Sequence, residues 1–148
     1  TTYSILQVRH HRDGIKPKTD DAILGDKITV KTLEIIKQLN PKYWYIENPR
    51  GMLRKMPFML GLPRTTVWYC QYGDNRAKPT DIWSNNLYSL FNPDGWQPKP
   101  VCHNGNENCH HDAAPRGCTT GGVQGQSSNK TRSVIPKDLC REIMQNSI

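Results

Sequence analysis

The sequence predicts an α/β fold, and three stretches predict it. Ala22 to Leu39 places Ile28, Thr32, Leu33, Ile35, Ile36 and Leu39 at near-helical spacing until Asn40-Pro41 ends the pattern. Tyr43 to Ile46 is aromatic and β-prone, and it runs into the turn formers Asn48, Pro49 and Gly51. Arg64 to Gln71, RTTVWYCQ, repeats the strand signal with β-branched and aromatic residues. A helix, a tight loop and a strand together make an αβ unit.

The remaining elements come in chain order. Thr1 to Ser4 opens on TTYS with no polar tail, which suggests a start inside a longer protein. His10 to Asp21 is basic and rich in turn residues and reads as a surface loop, either solvated or lying along phosphates. Asp20 or Asp21 supplies an N-cap for the Ala22 helix, and Leu53 to Met56 forms a short helix or turn. After a turn at Tyr72-Gly73-Asp74-Asn75, Asp81 to Asn85 looks like a short third strand. Leu87 to Ser133 loses every hydrophobic period to Pro, Gly, Asn and Gln, and a segment of that kind is functional or disordered. Lys137 to Asn146 closes the chain as a helix with Leu139, Cys140, Ile143 and Met144 on one face and Pro136 in its first turn. The expected division is 1–86 as a core, 87–133 as an irregular Cys/His-rich region and 134–148 as a helix packing back on the core.

Composition bounds the function. A chain of 148 residues is one domain's worth, but 35% hydrophobic content and a mean hydropathy of -0.74 make for a lean core. No apolar run approaches membrane-spanning length and no signal peptide is visible, so the chain reads as soluble and intracellular. A net charge of +7 favours a nucleic acid as partner, although surplus charge also maintains solubility. Five cysteines, three of them between Cys102 and Cys118 among histidines, favour metal or free thiols over a disulfide framework.

Three groups of residues carry candidate chemistry. Glu47 stands where the aromatic strand meets its turn, the edge at which α/β sheets bind ligands; it is a reacting carboxylate or a cap for the next helix. Arg76 and Lys78 lie two apart on an extended segment and so point the same way, to grip a phosphate or to decorate an edge. In VCHNGNENCHHDAAPRGC, Cys102, Cys109, His110 or His111, and Cys118 offer the soft and borderline donors that suit zinc, but at no standard spacing; a polar loop without metal is the other reading.

Taken together the motifs resemble the C-terminal part of a DNA (cytosine-5)-methyltransferase, most closely the compact phage and prophage type. TTYS matches the residues just after that family's Pro-Cys nucleophile, Glu47-Asn48-Pro49 its Glu-Asn-Val motif, and Tyr72-Gly73-Asp74-Asn75-Arg76-Ala77-Lys78 its Tyr-Gly motif with two arginines. Ala114-Pro115-Arg116-Gly117 and Ile135 to Cys140 are also similar to the phage subgroup, so the resemblance spans nearly the whole chain. It implies the C-terminal half of a Rossmann-like methyltransferase sheet, in the cytoplasm of a bacterium or phage-infected host.

The resemblance also implies roles. A cysteine thiolate adds to carbon 6 of cytosine so that carbon 5 can take a methyl group from S-adenosylmethionine. Glu47 would hold a proton at the ring nitrogen against the charge that develops, Arg76 would contact the base carbonyl, and Asn48 would hold the loop. Ser4, Arg50, Gln71, Lys78 and Arg116 would meet DNA, whose target base must leave the stack. The nucleophile and the cofactor loop belong to the family's other half, so the chain would need that half, in cis or as a partner subunit. The alternative class is a zinc-stabilised nucleic-acid-binding module that does no chemistry.

Overall fold

A computed structural model describes residues 2–5, 7–103, 105–112 and 133–148. It is mixed α/β with small antiparallel sheets. Helix α1 (Val8–His11) leads into the hairpin β1 (Arg12–Asp13) and β2 (Lys16–Pro17); α2 (Asp20–Leu39), β3 (Tyr45–Pro49), β4 (Arg64–Trp68), β5 (Pro79–Ser84) and α3 (Lys137–Gln145) come after it. Single 3-10 turns occupy Met52–Lys55, Pro57–Met59 and Tyr69–Tyr72. The second sheet has the order β3-β5-β4, and from Thr80 to Ser84 every residue of its central strand is buried. The chain divides into two compact units, residues 1–64 with 81–86, and residues 65–80 with 87–148.

In the first unit, the N-cap of α2 lies one residue before the expected aspartates. Thr19 is extended and its side chain accepts the Ala22 N–H at 3.3 Å, so Asp20 and Asp21 fall in the first turn, where carboxylates favour the helix dipole. Asn40 closes the helix in the left-handed conformation at φ 43°. The apolar residues of α2 are less covered than their spacing predicts. Only Ala22 is buried and Leu33 packs on the core, while Leu24, Ile28 and Leu39 are 56%, 57% and 74% exposed. The core is instead made by Tyr3, Leu53, Met56, Met59 and Trp83.

Two polar networks lie beside that core. Arg12, expected on a surface loop, is buried: its Nη2 donates to Asp26 Oδ1 at 2.6 Å and to the Ala22 carbonyl at 3.2 Å, and its Nη1 donates to Asp26 Oδ2 at 3.1 Å. Its guanidinium also lies over the Tyr3 ring at 4.4 Å. The Asp81 carboxylate, fully buried in β5, accepts from Arg54 Nε at 2.8 Å and from Arg64 Nη1 at 3.3 Å.

Tyr3 Oη donates to Asp26 Oδ1 at 2.7 Å, and burial together with that bond pushes the phenol up to about 12 from an ordinary 10.0. A pKa raised on folding stabilises the fold fully below pH 10 and loses that contribution as pH climbs through 12. Tyr3→Phe should therefore be less stable than wild type at pH 8, with the gap closing between about pH 10 and 12 in urea titrations. A gap that stays constant across that range would contradict the assignment.

In the second unit Val67, Tyr69, Tyr72, Trp96 and Leu139 are buried. The closing helix does not dock through the full apolar face expected of it: Leu139 is buried, Cys140 is exposed and Met144 is 67% exposed. Glu142 adds a polar anchor, its Oε1 accepting from Tyr72 Oη at 3.1 Å and from Trp96 Nε1 at 2.8 Å. Among the described residues, no helix is long and apolar enough to cross a membrane.

Candidate metal centre and catalytic residues

The irregular segment after Trp96 brings two of its cysteines to the 3-10 turn at the end of β4. Cys70 of that turn, Cys102, Cys109 and His111 place one ligand atom each within 4.8 Å of one another, a group that could hold a metal ion. Tetrahedral zinc with Zn–S near 2.3 Å sets its thiolates about 3.8 Å apart, so contraction of roughly an ångström would close the site. Three thiols and an imidazole are the right donors. Amide donors surround the sulfurs: Asn106 Nδ2 lies 3.3 Å from Cys102 Sγ, and Gln71 Nε2 lies 3.9 Å from Cys109 Sγ and 4.0 Å from Cys70 Sγ.

The thiols differ in acidity. Burial, then the neighbouring Cys102 and Cys109 thiols, push Cys70 up to about 12. Burial alone would raise Cys102 too, but hydrogen bonds from Asn106 and Cys70 carry it below its ordinary value.

The cluster settles which of the two histidines joins it and brings in one residue outside the sequence expectation. It takes His111, while the side chain of His110 is 85% exposed and sits 3.9 Å from Asp112. It adds Cys70, which the strand-like RTTVWYCQ run conceals. Cys118 and Arg116 lie outside the described residues.

In the first unit, β3 continues through Glu47-Asn48-Pro49 rather than stopping at Glu47. The residue before a proline prefers extended backbone, and a proline is tolerated at the edge of a sheet, which is where β3 lies. Glu47 is half-buried; Asn48 is buried, with its Nδ2 donating to the Pro49 carbonyl at 2.7 Å. Beyond it the chain meets its own beginning. Ser4 bridges Gly51 in antiparallel fashion, and Met52 N donates to the Tyr3 carbonyl at 2.8 Å. Gly51 is required there by space, since a Cβ would lie 2.3 Å from that same carbonyl oxygen. Arg50 is exposed.

In the second unit Arg76 is not an open fork. It is 2% exposed, with Nε donating to Asp74 Oδ1 and Oδ2 at 2.7 and 2.9 Å, Nη2 also bound to Asp74, and the Val134 carbonyl 3.4 Å from Nη2. Arg76 and Lys78 both stack on the Tyr69 ring, at 5.8 and 4.5 Å. The turn from Tyr72 to Arg76 borders an open cleft of about 590 Å³ that Asp112, Lys137 and Arg141 also line. Gln71, expected at DNA, directs its amide to the cysteine cluster instead.

No family model, curated protein or solved structure matches this chain.

Proposed function

We propose that this chain is the C-terminal part of a DNA (cytosine-5)-methyltransferase. The observation that carries the reading is the seam in the first unit. Two motifs far apart in sequence, TTYS and Glu47-Asn48-Pro49-Arg50-Gly51, meet through the Ser4–Gly51 bridge and the Met52–Tyr3 hydrogen bond. The family resembled carries its nucleophile just before the first of these motifs and its acid in the second, so a seam between the two motifs supports the reading.

In this reading Glu47 holds a proton against the target ring, and the buried Asn48 fixes the strand end. Asp74 and Arg76 shape the turn beside the cleft, and Lys78 adds charge toward the DNA backbone. Bound S-adenosylmethionine supplies the methyl group, and the resemblance places its binding residues outside this chain. The sheet order β3-β5-β4 would be the C-terminal half of a larger Rossmann-like sheet.

The test is methyl transfer to DNA by a longer polypeptide that joins this chain to the missing half. Labelled methyl should appear at carbon 5 of cytosine. Gly51→Ala, which forces the seam apart, should lower kcat at least about 10-fold with little change in DNA affinity. Absence of transfer, or methyl on another base, refutes the reading.

The cysteine cluster also favours a second reading, a nucleic-acid-binding module ordered by zinc. Salt-dependent DNA binding by this chain, with no transfer by the longer polypeptide, selects it.

A further inference from the structure

We infer that one zinc-class ion, bound by Cys70, Cys102, Cys109 and His111, fastens the 102–112 segment to the turn that carries Arg76, and so sets the shape of the adjoining cleft. The inference rests on the cluster holding an ion, which the second reading above requires and the first does not. It adds what that ion is for.

The segment has little else to hold it. Among its described residues Cys102 alone is buried, and the hydrogen bonds within it, Asn106 N to His103 O at 3.3 Å and Cys109 N to Asn106 O at 3.1 Å, are local turns. A polar strap of this kind cannot offset its ordering entropy by burying apolar surface. Ligands stand at both of its ends: Cys102 opens it, Cys109 and His111 close it, and one residue on, Asp112 N donates to the Asn75 carbonyl at 2.8 Å.

The fourth ligand makes the connection to the turn. Cys70 belongs to the 3-10 turn Tyr69–Tyr72, which passes through Gly73 at φ 82° into Asp74, Asn75 and Arg76. Asp74 N donates back to the Tyr69 carbonyl at 3.2 Å, and the Asp74 carboxylate holds Arg76. An ion on Cys70 therefore anchors the root of the turn, and the Asp112–Asn75 bond anchors its tip. Four protein donors fill a tetrahedral shell and leave no place for substrate, so the site is structural. Gln71 and Asn106 supply the outer hydrogen bonds that thiolate ligands need.

The experiment uses the whole protein purified without added zinc. Elemental analysis should give one zinc per chain, and cobalt(II) in its place should show visible thiolate–cobalt absorption. His111→Ala should weaken zinc binding more than about 100-fold, beyond the 10–100-fold that losing an outer partner causes, while His110→Ala keeps wild-type affinity. Amide hydrogen exchange of the wild type after chelation should then rise at least about 10-fold in both 69–78 and 102–112, with α2 unchanged. Stoichiometric zinc with a rise confined to 102–112 overturns the link to the Arg76 turn and leaves the metal reading standing. Absence of zinc, whether with a full set of free thiols or with a Cys102–Cys109 disulfide, overturns the site itself. Neither result bears on methyl transfer, which is read separately.

Discussion

Asp26→Ala is expected to destabilise the protein by about 3–5 kcal/mol, a large part of the ~5–15 kcal/mol that holds a typical domain folded. The Arg12 side chain is completely buried, and Asp26 is the only carboxylate in ion-pair contact with it among the described residues. Without that carboxylate the guanidinium keeps the Ala22 carbonyl, a long contact to the Ile15 carbonyl at 3.4 Å and the face of Tyr3, while its Nε already lacks a partner. A buried cation so weakly compensated is far more costly than a vacant space. Tyr3 loses its acceptor in the same step. The double variant Arg12→Met with Asp26→Leu removes both charges and should recover most of the loss, because apolar groups of similar size replace a buried pair at little net cost. Urea denaturation of the two variants checks this. A change below about 1 kcal/mol in the single variant would mean that Arg12 finds water when its partner is gone.

The second large effect follows from the proposed methyltransferase reading and would be measured in the longer polypeptide that reading calls for. Glu47→Gln should lower methyl transfer about 100- to 10,000-fold, with DNA affinity nearly unchanged, since a positioned proton donor contributes chiefly in the transition state. Glutamine keeps the shape of the half-buried side chain in the middle of β3 and removes the exchangeable acid. Single-turnover methylation at saturating DNA separates chemistry from binding. Turnover within a few-fold of wild type would remove Glu47 from the reaction.

How much of the fold is legible in the sequence depends on the range of each signal. Periodicity and β-propensity act over neighbouring residues, so α2, β4 and the Asp81 strand can be read, each to within a few residues of its bounds. Caps and strand ends depend on single backbone angles. Thr19 is hidden behind two better-looking aspartates, and β3 runs on into Pro49 because an edge strand accepts a proline. Cys102 and Cys109 stand out by proximity in sequence. Cys70 does not, because what brings it to them is the path of the chain between β4 and the strap, which no local pattern encodes. His110 and His111 are equivalent as letters, and only the direction of each side chain separates the ligand from its exposed neighbour. Arg12 misleads for the opposite reason: HHRDG has the composition of a surface loop, and its burial depends on an acid one helical segment away.

The exposed apolar residues of α2 should shape how the protein behaves at high concentration. Ile23, Leu24, Ile28, Ile35 and Leu39 are all between 39% and 74% exposed, an adhesive surface for any molecule that comes within contact range. The net charge of +7 keeps copies apart at low ionic strength, where the repulsion reaches beyond molecular contact. At about 0.15 M salt that reach shrinks to roughly 8 Å, and short-range hydrophobic attraction begins to decide the outcome. Colloidal stability should thus fall as salt rises, the reverse of the gentle salting-in of a protein whose helices are fully covered.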